Sequence, residues 1–438
     1  MSWRRSVAIR LIAVSLFALV RPALAAPGAH ASQSSLFTPT ELAQIYALSP
    51  LGAPLPDPTD RVAQDPRAVQ LGQYLFFYPQ FSANGKISCA TCHQPARAFT
   101  DGRAVAKGLA LETRNTPTVL NAAFNHWFFW DGRADSLWSQ PLQVFENPTE
   151  MGTDRLHVDH VLYANRASRR AYEQVFGPMP PLADLARFPL HARPTVNPES
   201  PLGRAWRAMT PADRVAANRV FSNVGKVIEA YERRLVSGHS AFDRYVAGLK
   251  KHDPAELAAL SPAAQRGLRI FVGPGHCTLC HSGPNFTDSQ FHDIGLPLLP
   301  GEAPDSGRAA GIREIKKNSF NAAGIYSDAP SGQAKDRIEF LPPAAAQLGK
   351  FKTPTLRNVA LTGPYMHDGR FKTLRQVVQF YAKGKEAAGH GRLMGKREAT
   401  LNLIPHFTPP QVTDLVAFLK SLTGAPLPPV LLRAPSRP

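Results

Sequence analysis

The sequence predicts a mainly α-helical protein made of two related modules, and three observations support this prediction. The chain has 438 residues, more than one ordinary domain holds, which favours two domains. Its 41 prolines and 31 glycines favour modest helices joined by long loops, and alternating strand patterns are weak throughout. One segment of 18 residues also occurs twice, as in a duplicated unit.

The first residues have the pattern of an export signal. Arg4 and Arg5 begin a basic stretch, an apolar run follows, and Ala23-Leu24-Ala25 has the small-x-small pattern of a cleavage site. Residues 1–25 are therefore predicted to be a signal peptide that directs the protein to the periplasm; the alternative is an anchor that is never cleaved. No later run of about 18 apolar residues occurs, so we expect no stable membrane insertion.

The rest of the chain is predicted to form a leader and two domains. Residues 26–66 are rich in proline and alanine and form the leader, residues 67–237 the first domain and residues 238–426 the second. The last helix can pack back on the first domain. Helical spacing of apolar residues is clearest in three stretches: 211–238 with a glycine stop, "LSPAAQRGLRIF" with Ser261 as its cap, and 409–422.

The formal net charge of +17 excludes little by itself. A basic balance can serve nucleic acid, an anionic surface or an acidic protein partner. The basic residues here are scattered, without runs of five or more, and the chain is predicted to be exported. We therefore expect no nucleic-acid partner, and interpret the charge as serving solubility and the approach of a protein partner.

The internal repeat aligns "TPTVLNAAFNHWFFWDGR" (116–133) with "TPTLRNVALTGPYMHDGR" (353–370) without gaps. Eight of the 18 positions are identical, which two unrelated windows would rarely reach. Each copy follows a pair of cysteines. The chain is thus predicted to contain two versions of one unit.

The cysteine pairs carry the strongest chemical signal. "CATCH" (Cys89, Cys92, His93) and "CTLCH" (Cys277, Cys280, His281) are both C-x-x-C-H, the attachment motif of c-type haem. Two thiols at this spacing form thioethers with the vinyl groups, and the adjacent imidazole binds the iron.

A redox dithiol, a zinc site and disulfides are the competing interpretations of these cysteines, but none calls for a histidine after each pair. We expect two covalently bound haem c groups that use all four cysteines.

The repeat also predicts how the far side of each iron differs. Met366 in the second copy corresponds to Phe129 in the first, and His367 corresponds to Trp130. A thioether can be the sixth ligand of haem iron, whereas phenylalanine cannot ligate. If the copies fold alike, Met366 closes the second haem and the first stays open. His126 is the nearest candidate for a remote ligand of the first haem, and a partly buried histidine without a ligand role is the favoured interpretation of it. A core methionine is the competing interpretation of Met366.

An open haem that reacts with peroxide needs groups that move protons. The stretch after Trp130 offers five, and the residues alone do not choose among them: Asp131, Asp135, Gln140, Glu146 and Glu150.

These motifs resemble the bacterial di-haem cytochrome c peroxidases and the related methylamine-utilisation enzyme MauG. The resemblance covers roughly residues 70–385. It is carried by "LGQYLFFYPQFSANGKISCATCH", "RNTPTVLNAAFNHWFFWDGRADSL", "NPTEMG", "FDRYVAG", "CTLCHSGPNFTDSQFHDIGL" and "FKTPTLRNVALTGPYMHDGRFKTL".

The resemblance implies two cytochrome c-like domains, each with one covalently attached haem facing an inter-domain gap. The first haem would be peroxidatic and the second would supply electrons. The family's distal glutamine and glutamate fall on Gln140 and Glu150, with Glu150 as acid and base, and its inter-haem tryptophan falls on Trp130. A calcium ion between the haems would use Asn115.

Two departures from the family pattern affect the function. Many of these peroxidases have a distal histidine in the loop after the first haem motif, but "QPARAFTDGRAVAKGLALET" contains none. The resting first haem is thus expected to be open, as in MauG, so reductive activation is less necessary. MauG, however, uses a tyrosine on its second haem, where this chain has Met366.

We therefore expect a periplasmic oxidoreductase of the cytochrome-c peroxidase type. It would reduce hydrogen peroxide to water with electrons from a small donor such as cytochrome c or a cupredoxin. Two alternatives stay open: a MauG-like enzyme that oxidatively modifies a partner protein, and a non-enzymatic di-haem electron carrier. A homodimer is compatible with the resemblance.

Overall fold

The computed structural model of the chain describes residues 36–298, 301, 303–383 and 392–438. The predicted signal peptide lies outside these residues, as does the start of the leader. The α-helices of the described residues are α1 (Pro39–Ala47), α2 (Pro66–Phe76), α3 (Cys89–Cys92), α4 (Ser139–Glu146), α5 (Arg155–Ala164), α6 (Arg166–Phe176), α7 (Pro201–Ala208), α8 (Pro211–Glu232), α9 (Ala241–Lys251), α10 (Pro254–Leu257), α11 (Pro262–Val272), α12 (Arg308–Lys317), α13 (Gln333–Glu339), α14 (Leu374–Ala382) and α15 (Pro409–Lys420).

Strands contribute little to the described part of the chain, which confirms the mainly helical class. The two strands, β1 (Phe291–His292) and β2 (Phe351–Lys352), pair antiparallel. Short 3-10 helices occupy many of the loops: Pro79–Phe81, Pro95–Arg97, Ala122–Phe124, Cys277–Leu279, Ala344–Gln347, Val359–Leu361, Ala399–Leu403 and Pro429–Leu432.

The three helices with the clearest sequence pattern are present and begin in the same way. α8, α11 and α15 each start with proline behind a threonine or serine cap, whose hydroxyl accepts a backbone N–H of the first turn. Proline suits this position because its missing N–H is not needed there. Ser261 is the cap of α11, as predicted.

Two hydrophobic cores divide most of the buried side chains. The first core lies between residues 62 and 235 and also takes Phe320 and Tyr326. The second core combines α1 with residues 242–286 and 359–422, and therefore contains α15. The segment beyond α15 returns to the first core, where the Tyr231 hydroxyl donates to the carbonyl of Leu431. The domain boundary at 237/238 stays a prediction.

Each core contains a close helix crossing at a glycine that has a counterpart in the other core. α2 crosses α8 with Gly72 against Val227, and α11 crosses α15 with Gly267 against Asp414. A Cβ on Gly72 would lie 1.6 Å from the carbonyl oxygen of Val227, and one on Gly267 would lie 2.0 Å from that of Asp414. The same crossing in both cores is what a duplicated unit predicts.

The two copies of the repeat also share their backbone conformation. Asn121 and Asn358 have φ values of 59° and 60°, and Phe129 and Met366 have φ values of 62° and 74°. Non-glycine residues rarely adopt this left-handed region. An isolated bridge closes each copy, from Phe128 to Ala134 and from Tyr365 to Phe371.

Ser237 joins the two copies. Its N–H donates to Oδ1 of Asn121 at 2.8 Å, and its hydroxyl donates to Oδ1 of Asn358 at 3.2 Å. Both asparagines are buried, so these bonds offset the cost of burying their amides. Equivalent residues of the repeat thus meet at the chain segment that links them.

None of the helices in the described part of the chain is long and apolar enough to cross a membrane.

We predict that Gly72→Ala destabilises the protein although alanine is the better helix former. The gain in helix propensity is about 1 kcal/mol, whereas a Cβ 1.6 Å from the Val227 oxygen forces α2 and α8 apart. Overpacking of this kind costs about 1–3 kcal/mol, so chemical denaturation should give a lower free energy of unfolding.

The control for this prediction is Gly238→Ala, where the nearest atoms to the new Cβ are 3.8 Å away. Equal or higher stability of Gly72→Ala would mean that the helices are not in contact at this glycine.

Candidate functional site

The two C-x-x-C-H motifs begin in short helices that turn the cysteines and the histidine to one side. α3 begins at Cys89 behind Ser88 and Thr91, which form a capping box, and a 3-10 helix holds Cys277–Leu279. None of the four cysteines forms a disulfide. Each motif thus keeps both thiols available.

The histidine of each motif is oriented by a backbone carbonyl. Nδ1 of His93 lies 3.2 Å from the carbonyl oxygen of Phe99, and Nδ1 of His281 lies 3.0 Å from that of Phe286. Both phenylalanines have left-handed backbone, with φ values of 58° and 52°. A hydrogen bond from Nδ1–H leaves Nε2 as the atom that can bind a metal. Burial lowers the pKa of both imidazoles, which favours the neutral form that ligates.

Threonines of the repeat bind the residue that precedes each of these phenylalanines. The hydroxyl of Thr118 donates to the carbonyl of Ala98, and the hydroxyl of Thr355 donates to that of Asn285, both at 2.6 Å. Thr118 and Thr355 are equivalent in the repeat. The hydrogen bonds that the two copies share therefore stabilise the turn that orients each histidine.

One cavity of about 660 Å³ contacts both motifs. Its wall includes all four cysteines, His93 and His281, and also Met366, Phe129, Trp130, Gln140, Glu150 and Asn115. A cavity with a cysteine pair and an oriented imidazole at each of two places fits two covalently bound haems.

The cavity wall also has a cation suited to the propionates that every haem carries. Arg114 and Arg133 both contact carboxylates, but the Lys352 ammonium has no acidic partner among the described residues. Burial lowers the pKa of Lys352 to about 8. Lys352 is half-buried, and partial burial disfavours its positive charge, so a propionate beside Lys352 would stabilise it.

The side chains at the equivalent positions 129 and 366 differ, although their backbones match. Met366 and Phe129 both line the cavity from left-handed positions. The guanidinium of Arg133 stacks 3.5 Å from the centre of the Phe129 ring. A thioether therefore stands in one copy where a ring without ligating atoms stands in the other.

Three other side chains near Met366 or Phe129 in the sequence could bind iron, but each makes different contacts or lies outside the cavity wall. The His367 ring stacks on Phe351, with ring centroids 3.6 Å apart, and burial lowers its pKa to about 4. The Tyr365 hydroxyl donates to the carbonyl of Val359 at 3.1 Å. His126 is exposed and outside the cavity wall.

The structure separates the five candidate proton-transfer groups. Asp131 is bound by Arg114 and Arg133, and Glu146 by two nitrogens of Arg155. Asp135 accepts the N–H of Ala322 and lies outside the cavity wall. Gln140 and Glu150 both line the cavity.

Gln140 is positioned by the start of α4. Trp138 caps this helix, is fully buried, and donates its backbone N–H to Glu229 at 2.9 Å and its indole N–H to Thr59 at 3.0 Å. These bonds fix the first turn of α4, in which Gln140 lies.

Glu150 is positioned by a turn that closes on Asn147. The N–H groups of Glu150 and Gly152 donate to the Asn147 carbonyl at 3.1 and 2.8 Å, and Nδ2 of Asn147 donates to Oε2 of Glu150 at 2.8 Å. The φ of +64° at Gly152 explains the glycine there. Burial raises the pKa of Glu150, and Glu112 raises it further, while Arg133 and Asn147 oppose the rise.

Trp130 lies where the two copies cross. Asn115 donates its N–H to the carbonyl of His367 at 2.7 Å, and Lys352 donates its N–H to the carbonyl of Trp130 at 2.8 Å. These bonds are equivalent, because Asn115 and Lys352 stand immediately before the two copies of the repeat and Trp130 matches His367 within them. The Trp130 indole also donates to the Asn115 carbonyl at 2.9 Å.

Sequence reasoning missed several residues of the cavity wall. Asn147 lies in the motif "NPTEMG" and Glu112 lies in the loop before Asn115, and the sequence alone assigns neither a role. Glu232 is buried, its Oε2 has no hydrogen-bond partner among the residues that the structure describes, and burial raises its pKa to about 8. The sequence does distinguish Lys352, since it stands immediately before the second copy where Asn115 stands before the first.

Among the described residues, one further group of metal-binding side chains lies close together: Cys280, Asp288 and His292. Because Cys280 belongs to a haem motif, we assign no separate metal to this group.

Comparison with known proteins identifies relatives along most of the chain. Residues 66–251 match the family model described as di-haem cytochrome c peroxidase. The methylamine utilization protein MauG of Methylorubrum extorquens is 32% identical over 365 residues, which cover 82% of this chain and 79% of that protein. The cytochrome c551 peroxidase of Pseudomonas aeruginosa is 30% identical over 396 residues, which cover 88% of this chain and 89% of that protein.

A solved structure gives the same result for the fold. A MauG-like protein associated with microbial copper homeostasis matches 88% of this chain and 98% of its own, with 27% identity and a TM-score of 0.58. Relatives thus carry both the peroxidase and the MauG name.

We predict that Met366→Ala opens the haem of the second module. Loss of the thioether should convert this haem from low-spin to high-spin or water-ligated, and should lower its reduction potential. Low-temperature EPR and a redox titration of the holoprotein measure both effects.

Met179→Ala is the control, since Met179 is buried in the first core and outside the cavity wall. A Met366→Ala spectrum identical to that of the unchanged protein would refute the ligand.

Proposed function

The chain belongs to the di-haem cytochrome c peroxidase and MauG family, and from this premise we propose that it is a periplasmic peroxidase. In this proposal it reduces hydrogen peroxide to water with electrons from a small redox protein, such as a cytochrome c or a cupredoxin. The reaction consumes two protons and two electrons for each peroxide and forms two waters.

One observation supports this proposal above the others: equivalent backbone positions carry Met366 in one copy and Phe129 in the other. A methionine ligand suits electron transfer, while a site without a sixth ligand admits a small oxidant. Two closed sites would suit an electron carrier, and two open sites would leave the chain without a unit specialised in electron transfer.

The haems, when bound through the four cysteines, supply the redox chemistry. His93 and His281 would hold the irons through Nε2, because their Nδ1 atoms are engaged with Phe99 and Phe286. Phe129 keeps the distal side of the first site free of ligating atoms, and its stack with Arg133 holds the ring in place.

Glu150 moves the proton in this proposal. Its carboxylate takes a proton from one peroxide oxygen and returns it to the other, which leaves as the first water when the O–O bond breaks. Two electrons and two protons then reduce the remaining oxygen to the second water. Burial raises the pKa of Glu150, which makes its carboxylate a stronger base than an exposed one. Gln140, on the same cavity wall, would orient the peroxide through its side-chain amide.

Trp130 connects the two modules in this proposal. It lies between the site with Phe129 and the backbone of Lys352, and its indole is held by Asn115. Electrons that enter at the His281/Met366 site would pass this ring on the way to the first site.

Calcium is a further part of the proposal. Nδ2 of Asn115 donates to the carbonyl of Arg103 at 2.8 Å, so the amide oxygen is the atom that would face an ion. Asn115 is buried beside the crossing of the two copies, where an ion would hold both in place.

The competing reaction is the oxidation of a side chain on a partner protein, as in MauG. Met366 favours the peroxidase, because MauG has a tyrosine on its second haem. The neighbouring Tyr365 does not take that role in this proposal, since its hydroxyl donates to the carbonyl of Val359. Steady-state turnover separates the two reactions. Rapid reaction with peroxide but negligible oxidation of reduced cytochrome c and of a reduced cupredoxin would reject the peroxidase.

We predict that Phe129→Met closes the first site. The new thioether would stand in the same left-handed backbone as Met366, so both haems should become low-spin. Stopped-flow mixing should show a reaction with peroxide slower by at least about tenfold. Phe124→Met is the control, since Phe124 lies outside the cavity wall. A fast peroxide reaction in Phe129→Met would contradict the assignment of the first site.

We also predict that Glu150→Gln slows the peroxide reaction by about 10²–10⁴-fold, the usual contribution of a general acid or base. The resting EPR spectrum should not change. Glu173→Gln, which removes a surface carboxylate paired with Arg169, should react like the unchanged protein. Equal rates in both variants would place the proton transfer at another residue.

A further inference from the structure

Glu112 reaches the proposed peroxide site from a loop that is distant in sequence. Its side chain lines the same cavity as Glu150. Nδ2 of Asn147 lies 2.8 Å from Oε2 of Glu150 and 3.4 Å from Oε1 of Glu112, so one amide stands between two carboxyl groups. The Thr149 hydroxyl makes a short hydrogen bond to the same Glu112 oxygen.

The loop that carries Glu112 is fixed against the turn of Glu150. The N–H groups of Leu109 and Ala110 donate to the carbonyls of Glu150 and Thr149, at 3.0 and 2.9 Å. Gly108 packs so closely that a Cβ there would lie 2.5 Å from the Glu150 oxygen. Backbone hydrogen bonds and close backbone packing therefore hold the loop of Glu112 next to Glu150.

From these contacts we propose that Glu112 is a positioning residue of the peroxide site: through the Asn147 amide it orients Glu150, and its negative charge strengthens Glu150 as a base. The proposal rests on the peroxidase function proposed above and deepens it.

The hydrogen bonds indicate which carboxyl group carries the charge. Glu112 Oε1 lies within hydrogen-bond distance of both the Asn147 amide and the Thr149 hydroxyl, whose single proton Asn147 Oδ1 also approaches at 2.8 Å, whereas Glu150 accepts from the amide. Donors to a carboxylate stabilise its negative charge. A second negative charge nearby is then unfavourable, so Glu150 is the group that takes up the proton.

The other charges around Glu150 support this division. Burial is the largest cause of its raised pKa, Glu112 adds to it and Arg133 opposes it. Two further charged residues lie near Cys92, on the same side of Glu150. Asp101 and Arg103 have opposite charges, so their effects on Glu150 oppose each other. The Cys92 sulfur would be uncharged once it forms a thioether. Glu112 is therefore the acidic neighbour whose removal should weaken Glu150 as a base.

The experiment compares Glu112→Gln with Glu112→Asp in the di-haem protein. Stopped-flow mixing gives the rate constant of the peroxide reaction between pH 4 and 9, and infrared difference spectra follow the carboxyl stretch that is lost in Glu150→Gln. In Glu112→Gln we expect the acid limb of the rate profile, and the infrared titration, to move to lower pH by about one pH unit. The plateau rate should fall roughly threefold because the base is weaker.

Glu112→Asp keeps the charge and should keep the pH profile of the unchanged protein. Glu199→Gln removes an exposed carboxylate that pairs with Arg207, and should behave like the unchanged protein. If Glu112→Gln titrates like the unchanged protein, or if Glu112→Asp shifts as much as Glu112→Gln, the proposed role is overturned.

Failure of this inference is distinguishable from failure of the proposed function. When Glu150→Gln slows the peroxide reaction and Glu112→Gln leaves its pH profile unchanged, Glu112 alone loses its role. When Glu150→Gln reacts like the unchanged protein, the assignment of Glu150 fails and the role of Glu112 fails with it.

Discussion

The hydrogen bond between a motif histidine and the carbonyl of a left-handed phenylalanine is the constraint on which the rest of the site depends. It occurs twice, at His93 with Phe99 and at His281 with Phe286. In each copy a threonine of the repeat supports the preceding carbonyl. Because this turn fixes the direction of Nε2, it also fixes which residues can face the opposite side of a bound haem.

Duplication accounts for the architecture, and asymmetry accounts for the proposed chemistry. The copies share a helix crossing at Gly72 and Gly267, a bridge, and a pair of equivalent backbone bonds across their interface. On this common frame single substitutions have large consequences, since Met366 can ligate and Phe129 cannot. In the proposed reaction, one of the two similar units can then bind the oxidant while the other supplies the electrons.

The distal side illustrates how far sequence reasoning reached. Resemblance selected Gln140 and Glu150, and both line the cavity. The residues alone could not exclude Asp131 or Glu146, because their arginine partners include Arg114 and Arg155, which no spacing pattern connects to them. Asn147 could have been selected from the sequence, because it is the first residue of the motif "NPTEMG". Glu112 could not have been selected from the sequence, because it comes close to Glu150 only where its loop packs against the turn of Glu150.

The sequence by itself determined the mainly helical class, the two haem motifs and the exchange of methionine for phenylalanine, because each is encoded in local spacing or in the comparison of one repeat with the other. Only the tertiary structure decided which carboxylates arginines occupy, that Lys352 lines the cavity without an acidic partner among the described residues, and that Glu112 meets Glu150 through Asn147. The physical reason is that burial and charge pairing depend on segments far apart in the chain, and these meet only when the cores pack.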